Sequence, residues 1–426
     1  MRADVVVVGA GPAGLASAAR LAEAGRQVRL IARGYGFTHW GAGAVDVLAR
    51  IGERQVERPL DAVAELPDGH PHRLAGAPAL RDGLEWFRRF TAAVGLEHAG
   101  DPEGNRRQVT ALGSLRTTCL LPAPAAAELR GQVAVLGFAG FRDFSPALCA
   151  AGLRRRIGWT DGLRVSAGTV ELPSWGHARS FTAVELARAF DDEGFRARLA
   201  PALARAAGGA EVAVVPAVLG LLGGHEPWVD LERRCGLRLL EAALPPPSVP
   251  GLRLFSAYRE RLVALGVRWQ LGFPAVGVER DGDRVTAVRS EGASREMLTG
   301  CEELVLATGG VAGHGIEARR DGSLVETVAG LPVDGFPDRT GFLAERFLGG
   351  HPIGAAGVRV DAELRPLGPD GPLLANLRCV GGLLADHDPT VEGSREGVAL
   401  ATAARVAVLL APAPSATGAR QGGASR

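Results

Sequence analysis

The fold of this chain is decided by residues 1–33, which read MRADVVVVGAGPAGLASAARLAEAGRQVRLIAR. The four valines at 5–8 leave no room for polar alternation, so they predict a strand buried on both faces of a parallel sheet. Small and apolar residues then recur at helical spacing over 13–24, and Gly25 is suited to end that helix. A second apolar run at 28–31 predicts another buried strand, which completes a β-α-β unit.

The turn between the first strand and the helix has the pattern G-x-G-x-x-G, formed by Gly9, Gly11 and Gly14. In a dinucleotide-binding fold, the first glycine allows a tight turn, the second lets a pyrophosphate approach the backbone, and the third lets helix and strand pack closely. The pattern alone also fits a glycine-rich turn in an ordinary α/β protein. Its position between a four-valine strand and an alanine-rich helix favours a nucleotide site.

The acidic residue that usually binds the adenosine ribose is missing. It is expected about twenty residues after the glycines, at or beside Ala32, and neither Ala32 nor Arg33 is acidic. Either other groups hold the ribose, or the nucleotide has no adenosine ribose, as in FMN. Both alternatives are compatible with the sequence.

Length and charge bound the class of protein. The chain has 426 residues, enough for two or three domains with cores of their own. Its formal net charge of +1 gives no reason to expect binding to nucleic acid or to a membrane surface. The N-terminal apolar run is too short for a signal peptide, and no run of about eighteen apolar residues is present to span a membrane. We therefore expect a cytoplasmic protein.

Cysteine usage argues against a metal centre or a redox disulfide. The cysteines are scattered, odd in number and without C-x-x-C spacing: Cys119, Cys149, Cys235, Cys301 and Cys379. An iron–sulfur cluster, a structural zinc site and a disulfide are therefore not expected.

The loop after the second strand, residues 33–50, is dense in glycine and small residues. In a flavoprotein of this topology the loop passes close to the flavin, and small residues let the backbone approach the ring and phosphates. Arg33, Thr38 and Gly41 are the candidate cofactor-binding residues here. His39 is a candidate catalytic base, and its alternative role is that of a hydrogen-bonded loop histidine.

The next candidate is Arg116, in the segment QVTALGSLRTTC at 108–119, which predicts strand and turn. An arginine among small polar neighbours can clamp a phosphate with two hydrogen bonds. The alternative is a solvated arginine on a strand, which is more common. Residues 51–78 carry prolines, glycines and charges without a clear period, so they predict a surface connection.

A second α/β series begins after residue 125. Predicted strands at 132–138 and 164–172 flank a helix at 145–156, and helical segments follow at 182–207. Strands that alternate with helices at this spacing predict parallel pairing with right-handed crossovers.

The chain then returns to the nucleotide fold. A hairpin is predicted around the DGD turn at 281–283, and an apolar strand at 303–307 ends in Thr308 and Gly309. Strand plus A-T-G is a feature of two-dinucleotide-fold flavoproteins, in which the Thr-Gly turn approaches the cofactor. Thr308 and Gly309 are therefore candidate cofactor-binding residues.

One further strand ends at Gly381 and Gly382, and a polar turn with Asp388 leads into a helix from about Ser394. A helix N-terminus aimed at a flavin stabilises the negative charge of the reduced ring. Gly381, Gly382 and Asp388 are therefore candidates for flavin binding. The alternative for Asp388 is a cap at the approach to the helix.

At this point the chain resembles a known family, the B subunits of the anaerobic, quinone-linked glycerol-3-phosphate dehydrogenase. The resemblance rests on blocks spread over residues 1–407: GAGPAGL, RGYGFTHWGAGAVDVL, LGSLRTTCL, GFAGFRDFSPAL, LPPPSVPGLRL and GGLLADHDPTVEGSREGVA. Two blocks differ from the family pattern. WGAGA at 40–44 is more apolar than the serine-rich version, and GSREG at 393–397 replaces a glycine-richer turn with Arg395 and Glu396.

The resemblance implies an α/β fold of the two-dinucleotide-binding flavoprotein type, with a Rossmann-like parallel sheet and an inserted α/β domain. We predict a flavin-binding domain in two parts, residues 1–125 and 273–410. An inserted domain at 126–272 lies between them, and a disordered tail follows at 411–426. The resemblance also implies a flavin, assigned as FMN with FAD as the alternative, and it explains the missing ribose-binding acid.

The resemblance further implies partners: a larger FAD-bearing A subunit and a membrane-attached iron–sulfur C subunit. Such a complex oxidises sn-glycerol 3-phosphate to dihydroxyacetone phosphate and passes electrons to menaquinone, at the inner face of the cell membrane.

Three roles for this chain remain open on the sequence. It is a catalytic flavoenzyme in which His39 takes the hydroxyl proton and Arg116 holds the phosphate, a flavin-bearing electron relay, or a structural partner without flavin. A stand-alone flavin-dependent dehydrogenase of another small hydroxy substrate is the alternative to membership of a complex.

Overall fold

The structure is a computed structural model that describes residues 2–155, 162–173, 180–292, 295–334, 336, 339–347 and 349–412. Of the predicted disordered tail at 411–426, positions 413–426 lie outside the described residues. The strands of the two main sheets are, in chain order, β1 Arg2–Val8, β2 Val28–Ala32, β3 Gln132–Phe138, β4 Arg164–Val170, β5 Val212–Pro216, β6 Arg238–Ala242, β7 Arg268–Leu271, β8 Ala275–Asp281, β9 Arg284–Glu291, β10 Glu296–Leu306 and β11 Leu377–Cys379.

The helices are α1 Pro12–Glu23, α2 Phe37–Trp40, α3 Pro59–Ala62, α4 Pro71–Ala75, α5 Ala77–Ala93, α6 Pro146–Arg154, α7 Ala183–Asp191, α8 Glu193–Ala207, α9 Glu226–Cys235, α10 Val249–Ala264 and α11 Arg395–Leu409. Two-residue to four-residue strands pair in short hairpins outside the main sheets. In the described part of the chain, no helix is both long and apolar enough to cross a membrane.

The first sheet has the strand order β7-β2-β1-β10-β9-β8, and β11 also pairs with β10. β1 runs parallel to both β2 and β10, so its valines are covered on both faces and Val5, Val6 and Val7 are fully buried. Burial of each such side chain contributes roughly 1.5–3 kcal/mol. α1 and α11 pack against each other beside this sheet. The predicted β-α-β unit is confirmed.

The second sheet has the order β4-β3-β5-β6, and all its strand pairs are parallel. The parallel pairing predicted for the inserted region is therefore confirmed. The second sheet and its helices have their own core, to which Phe190, Leu199 and Val214 belong. The α/β class with a parallel sheet and a second α/β unit is confirmed as a whole.

Local sequence signals set the helix starts in the second sheet's layer. Ser145 accepts the Leu148 N–H at α6, and Thr182 forms a capping box with Glu185 at α7. The predicted helical stretch at 182–207 is two helices, because Asp192 leaves helical geometry and caps α8 by accepting the Phe195 N–H.

The structure places β7 in the first sheet, where it pairs in parallel with β2. The predicted inserted domain at 126–272 therefore contains one strand of the first sheet. α10, which precedes β7, packs on α1 and α2. By sheet membership, the second unit ends at β6, and the chain from α10 onward rejoins the first.

Candidate functional site

The three glycines of the G-x-G-x-x-G turn have the geometry that each predicted role requires. Gly9 has φ of +115°, and a Cβ there would overlap the Ala307 carbonyl at the end of β10. A Cβ at Gly14 would overlap the Gly9 carbonyl, so α1 lies directly on the turn. At Gly11 no heavy atom lies within 4 Å of such a Cβ. The second glycine therefore faces the space into which a phosphate would come.

The carboxyl ends of β10 and β11 meet this turn. Thr308 and Gly309 follow β10, and Gly381 and Gly382 follow β11. A Cβ at Gly381 would lie 2.6 Å from the Ala13 Cβ, at the start of α1. The structure thus brings four of the predicted cofactor residues to one edge of the sheet, beside the N-terminus of α1.

The loop after β2 folds back over the glycine turn. A Cβ at Gly36 would overlap the backbone of Gly11, so only glycine fits this crossing. α2 follows, and its residue Thr38, together with Gly41 at its end, reaches a small cleft beside the start of α1. The cleft is lined by Pro12, Phe37, Thr38, Gly41, Gly43, Ala44, Val45, Phe87, Leu254, Tyr258, Glu396 and Leu400.

His39, the candidate base, lies in a group of aromatic rings. It stacks on Tyr35 with ring centroids 4.4 Å apart and meets Phe255 and Trp40 edge-on. Its Nδ1 is buried without a hydrogen-bond partner, and partial burial lowers the pKa of the imidazole. His39 does not line the cleft, so its predicted role as a base stays a prediction.

Arg116, the candidate phosphate clamp, is engaged within the chain. Its guanidinium forms an ion pair with Asp46 and donates from Nη2 to the Gln108 side chain at 2.8 Å. An arginine held by a carboxylate has less positive charge to offer a substrate phosphate. The phosphate role stays a prediction, and the structure adds Asp46 as a neighbour that sequence reasoning missed.

Asp46 also contacts the start of α11. Its backbone N–H donates to Glu396 Oε2 at 3.2 Å, and its carbonyl accepts the Gly397 N–H at 2.8 Å. Glu396 lines the cleft, and burial together with the nearby Asp46 raises its pKa to about 7. The guanidinium carbon of Arg395 lies 3.8 Å from the centroid of the Phe37 ring.

Arg33 and Asp388 do not line this cleft. Arg33 is exposed at the end of β2. Asp388 uses its Oδ1 to accept the N–H groups of Thr390 and Val391, at 2.9 and 3.1 Å. This geometry is that of a turn-forming aspartate, the alternative weighed for it, and a contact with cofactor stays a prediction for both residues.

Behind the start of α11 lies a buried histidine cluster, of which His70 and His72 fall in the predicted surface connection at 51–78 and His387 in the predicted polar turn before α11. His70 hydrogen-bonds to Glu392 at 3.1 Å, His72 to the Val47 carbonyl at 2.8 Å, and His387 packs edge-on against His70. Burial lowers the pKa of His72 to about 3 and that of His387 to about 4. The H-P-H sequence at 70–72, a cap followed by proline, was the available signal for a helix start.

Three buried polar atoms are available to a ligand such as a flavin nucleotide. Thr38 Oγ1, in the cleft lining, and Asp46 Oδ1 and Thr308 Oγ1, outside it, have no hydrogen-bond partners, which is costly unless a ligand supplies them. The N–H groups in the first turn of α1 are suited to a phosphate, next to the free face of Gly11. In the described residues no group of histidine, cysteine and carboxylate side chains is arranged to hold a metal ion.

Comparison with known proteins agrees with this geometry. The FAD binding domain family matches residues 4–398. The B subunit of the anaerobic glycerol-3-phosphate dehydrogenase of Vibrio cholerae serotype O1 is 31% identical over 423 residues, covering 95% of each chain. The protein of the same name from Yersinia pestis bv. Antiqua is 32% identical over 422 residues, covering 96% of this chain and 97% of the relative.

Among solved structures, a 3-ketosteroid delta1-dehydrogenase from Sterolibacterium denitrificans matches with a TM-score of 0.46 and 13% identity, over 96% of this chain and 99% of that one. A mutant of the E. coli quinol fumarate reductase FrdA matches with a TM-score of 0.42 and 10% identity, over 96% of this chain and 70% of that one. At these scores the alignments carry no argument about the site.

Proposed function

The chain belongs to the FAD binding domain family and, within it, to the B subunits of the anaerobic glycerol-3-phosphate dehydrogenase, and from this premise we propose that it is the flavin-bearing subunit of such a dehydrogenase. The proposed reaction oxidises sn-glycerol 3-phosphate to dihydroxyacetone phosphate, with electrons passed to menaquinone. The observation that carries the proposal is the glycine turn at the start of α1, where a Cβ at Gly11 would meet no atom of the chain and the Thr308 hydroxyl that follows β10 has no hydrogen-bond partner.

The flavin, when bound, supplies a two-electron acceptor for the alcohol carbon. The chain's own residues position it. The first turn of α1 binds the phosphate through backbone N–H groups, and the hydroxyls of Thr38 and Thr308 donate to or accept from the cofactor. Phe87, Leu254 and Leu400 exclude water from the cleft.

We propose FAD as the flavin, with FMN, the assignment implied by the family resemblance, as the alternative. The match of an FAD binding domain over residues 4–398 favours FAD. The absence of an acid at Ala32 or Arg33 favours FMN, because FMN has no adenosine ribose to bind. If FAD is correct, other groups at the end of β2 bind the ribose.

The partners proposed are an FAD-bearing A subunit and a membrane-attached iron–sulfur C subunit, which would hold this chain at the inner face of the membrane. The relatives are named as one subunit of a dehydrogenase, which supports a multi-subunit assembly. Co-expression of the three chains followed by affinity capture of this one tests the proposal. Recovery of the chain alone, and equal flavin reduction with or without the others, would contradict it.

The test of the function is a visible spectrum and cofactor extraction on the purified full chain, repeated after anaerobic addition of glycerol 3-phosphate, with glycerol as the control compound. Released FAD or FMN identifies the cofactor. Bleaching by glycerol 3-phosphate but not by glycerol locates the oxidation on this chain, and a yellow protein that stays yellow locates it on a partner. A colourless chain that no flavin restores would contradict the proposal.

A further inference from the structure

The guanidinium of Arg116 is held by two neighbouring side chains. The hairpin at 106–118 places Arg116 opposite Gln108 on its two strands. The Arg116 Nε and Nη2 donate to the Gln108 side-chain oxygen at 3.3 and 2.8 Å, and Nη1 donates to Asp46 Oδ2. An arginine grips a phosphate through two parallel N–H groups on one edge. In Arg116 the Nε–Nη2 edge, which has that geometry, faces Gln108.

Asp46 joins this hairpin to the start of α11. It belongs to the loop at 33–50 and is buried, with 7% of the residue exposed. Its carbonyl accepts the Gly397 N–H at 2.8 Å, and its N–H donates to Glu396 Oε2 at 3.2 Å. Asp46 is therefore bound to the first turn of a helix by its backbone and to the hairpin by its side chain.

Arg116 compensates the charge of a carboxylate that has little access to water. Asp46 is buried, and a second carboxyl group, that of Glu396, lies beside it. A buried carboxylate that loses its counterion is strongly destabilised. The chain can relieve such a charge by moving the carboxylate toward water, and at Asp46 this movement carries the loop away from α11.

The loop that contains Asp46 also covers the glycine turn. Near its beginning, a Cβ at Gly36 would overlap the backbone of Gly11. Near its end, the Val45 N–H donates to the Leu120 carbonyl at 2.9 Å, and Asp46 follows directly. The loop is thus held against the turn at one end and against α11 and the hairpin at the other. The position of the residues between the two ends depends on both attachments.

We propose that Arg116 is a positioning residue of the flavin site: acting through Asp46, it holds the loop at 33–50 in place over the glycine turn. This role differs from that of a phosphate clamp, in which the guanidinium would contact the substrate directly. The inference rests on the proposed function only in that a flavin binds beside the glycine turn. It holds whether the alcohol is oxidised on this chain or on a partner.

The experiment measures the dissociation constants of FAD and of FMN for the apo form of the full chain by equilibrium dialysis. The flavin that binds more tightly is then used with the variants. Arg116→Gln leaves Asp46 buried without its counterion, so we expect binding to weaken by about tenfold. Asp46→Asn removes the charge that needs compensation, and we expect a loss of no more than about threefold.

The double variant Arg116→Gln with Asp46→Asn is the decisive one. With the carboxylate gone, loss of Arg116 should no longer matter, so the double variant is expected to bind flavin as Asp46→Asn alone does. The two substitutions are then strongly non-additive, as residues that act through one contact are. Comparing these two variants tests the inference even if Arg116→Gln alone does not fold, which far-UV circular dichroism checks.

Arg107→Gln is the matched control. Arg107 lies on the same hairpin, but it donates to Gln55 at 3.0 Å and pairs with Glu57, both outside the loop at 33–50. The control is expected to bind flavin as the parent does. Urea unfolding of the apo forms is measured alongside, so that a change in flavin affinity is separated from a change in stability.

A substrate role for Arg116 would give a different pattern. Arg116→Gln would keep the flavin affinity of the parent, and more glycerol 3-phosphate would be needed for half-maximal bleaching, with no rescue by Asp46→Asn. A purely structural role would lower the stability in urea and leave the flavin affinity unchanged. Either result would overturn the inference while leaving flavin binding established. Absence of FAD and FMN binding in the unmodified chain would overturn the proposed function together with it.

Discussion

The two main sheets of this chain both contain parallel strands joined by helices, yet their carboxyl edges differ in whether polar groups have partners within the chain. At the edge of the first sheet, Gly11 faces free space and the hydroxyls of Thr38 and Thr308 have no hydrogen-bond partner. At the edge of the second, Arg253 and Glu241 form two hydrogen bonds of 2.9 and 3.0 Å, with side chains 2% and 1% exposed.

The edge of the second sheet, here called the closed edge, makes further hydrogen bonds to neighbouring elements. Glu241 Oε1 also accepts the Leu219 N–H at 2.8 Å, and Arg253 Nε donates to the Gly220 carbonyl at 2.7 Å. The loop after β5 is thereby attached to β6 and to α10. A parallel sheet thus offers a ligand site at its carboxyl edge only where internal partners have not already used the polar groups.

The largest effect is expected from removing the buried ion pair at the closed edge. Arg253→Met leaves Glu241 buried without its partner, and we expect the free energy of unfolding in urea to fall by about 3–5 kcal/mol. The double variant Arg253→Met with Glu241→Leu should recover most of that loss, because two apolar side chains then replace the pair. A single variant as stable as the parent would show that the edge is closed by other contacts.

A smaller effect is expected at the open edge, and on binding instead of stability. Gly11→Val places its side chain where no atom of the chain lies, so the fold should persist while the affinity for flavin falls about tenfold to a hundredfold, or about 1.4–2.8 kcal/mol. Equilibrium dialysis against FAD measures the affinity. Gly104→Val, at another position with free space and no positive φ, is the control and should bind FAD as the parent does. Unchanged binding in Gly11→Val would place the phosphate elsewhere.

The smallest effect concerns a property that the two regions share. His387 in the first and His225 in the second are buried and neutral, with pKa values lowered by burial to about 4 and about 3. Their folded pKa values lie below the unfolded value of about 6.5, so stability is lost as the pH falls below 6.5.

At pH 5 each of these histidines lowers the free energy of unfolding by about 2 kcal/mol. In His387→Gln and in His225→Gln, the loss between pH 7 and pH 5 should therefore be smaller than in the parent by about that amount. Urea titrations at the two pH values measure it. A loss identical to the parent's in both variants would mean that these imidazoles are protonated in the folded chain.

Much of the fold could be predicted because its signals are local. The valines at 5–8, the three glycines and the caps at Ser145 and Thr182 each act within a few residues of themselves, and the structure confirms those elements. The exchange of β7 into the first sheet could not be predicted, because pairing with β2 depends on residues more than two hundred positions away.

The site shows the same limit. The roles predicted for Gly9, Gly11 and Gly14 follow from the spacing of these glycines alone. The contact between Asp46 and Glu396 joins residues 350 positions apart, and no residue near either of them in sequence indicates this contact. Arg116 is a candidate on sequence alone, but its partner Asp46 becomes visible only once the hairpin and the loop after α2 are packed together.

The place of β1 between β2 and β10 has a consequence for how the chain is made. During synthesis at about 5–20 residues per second, the stretch from the end of β1 to the start of β10 takes roughly 15–60 s to emerge. For that time the edge formed by Val5–Val8 lacks its second neighbour and presents an apolar, unpaired strand. The second sheet, complete at Ala242, can close first, so a nascent chain is most prone to aggregate through its N-terminal strand.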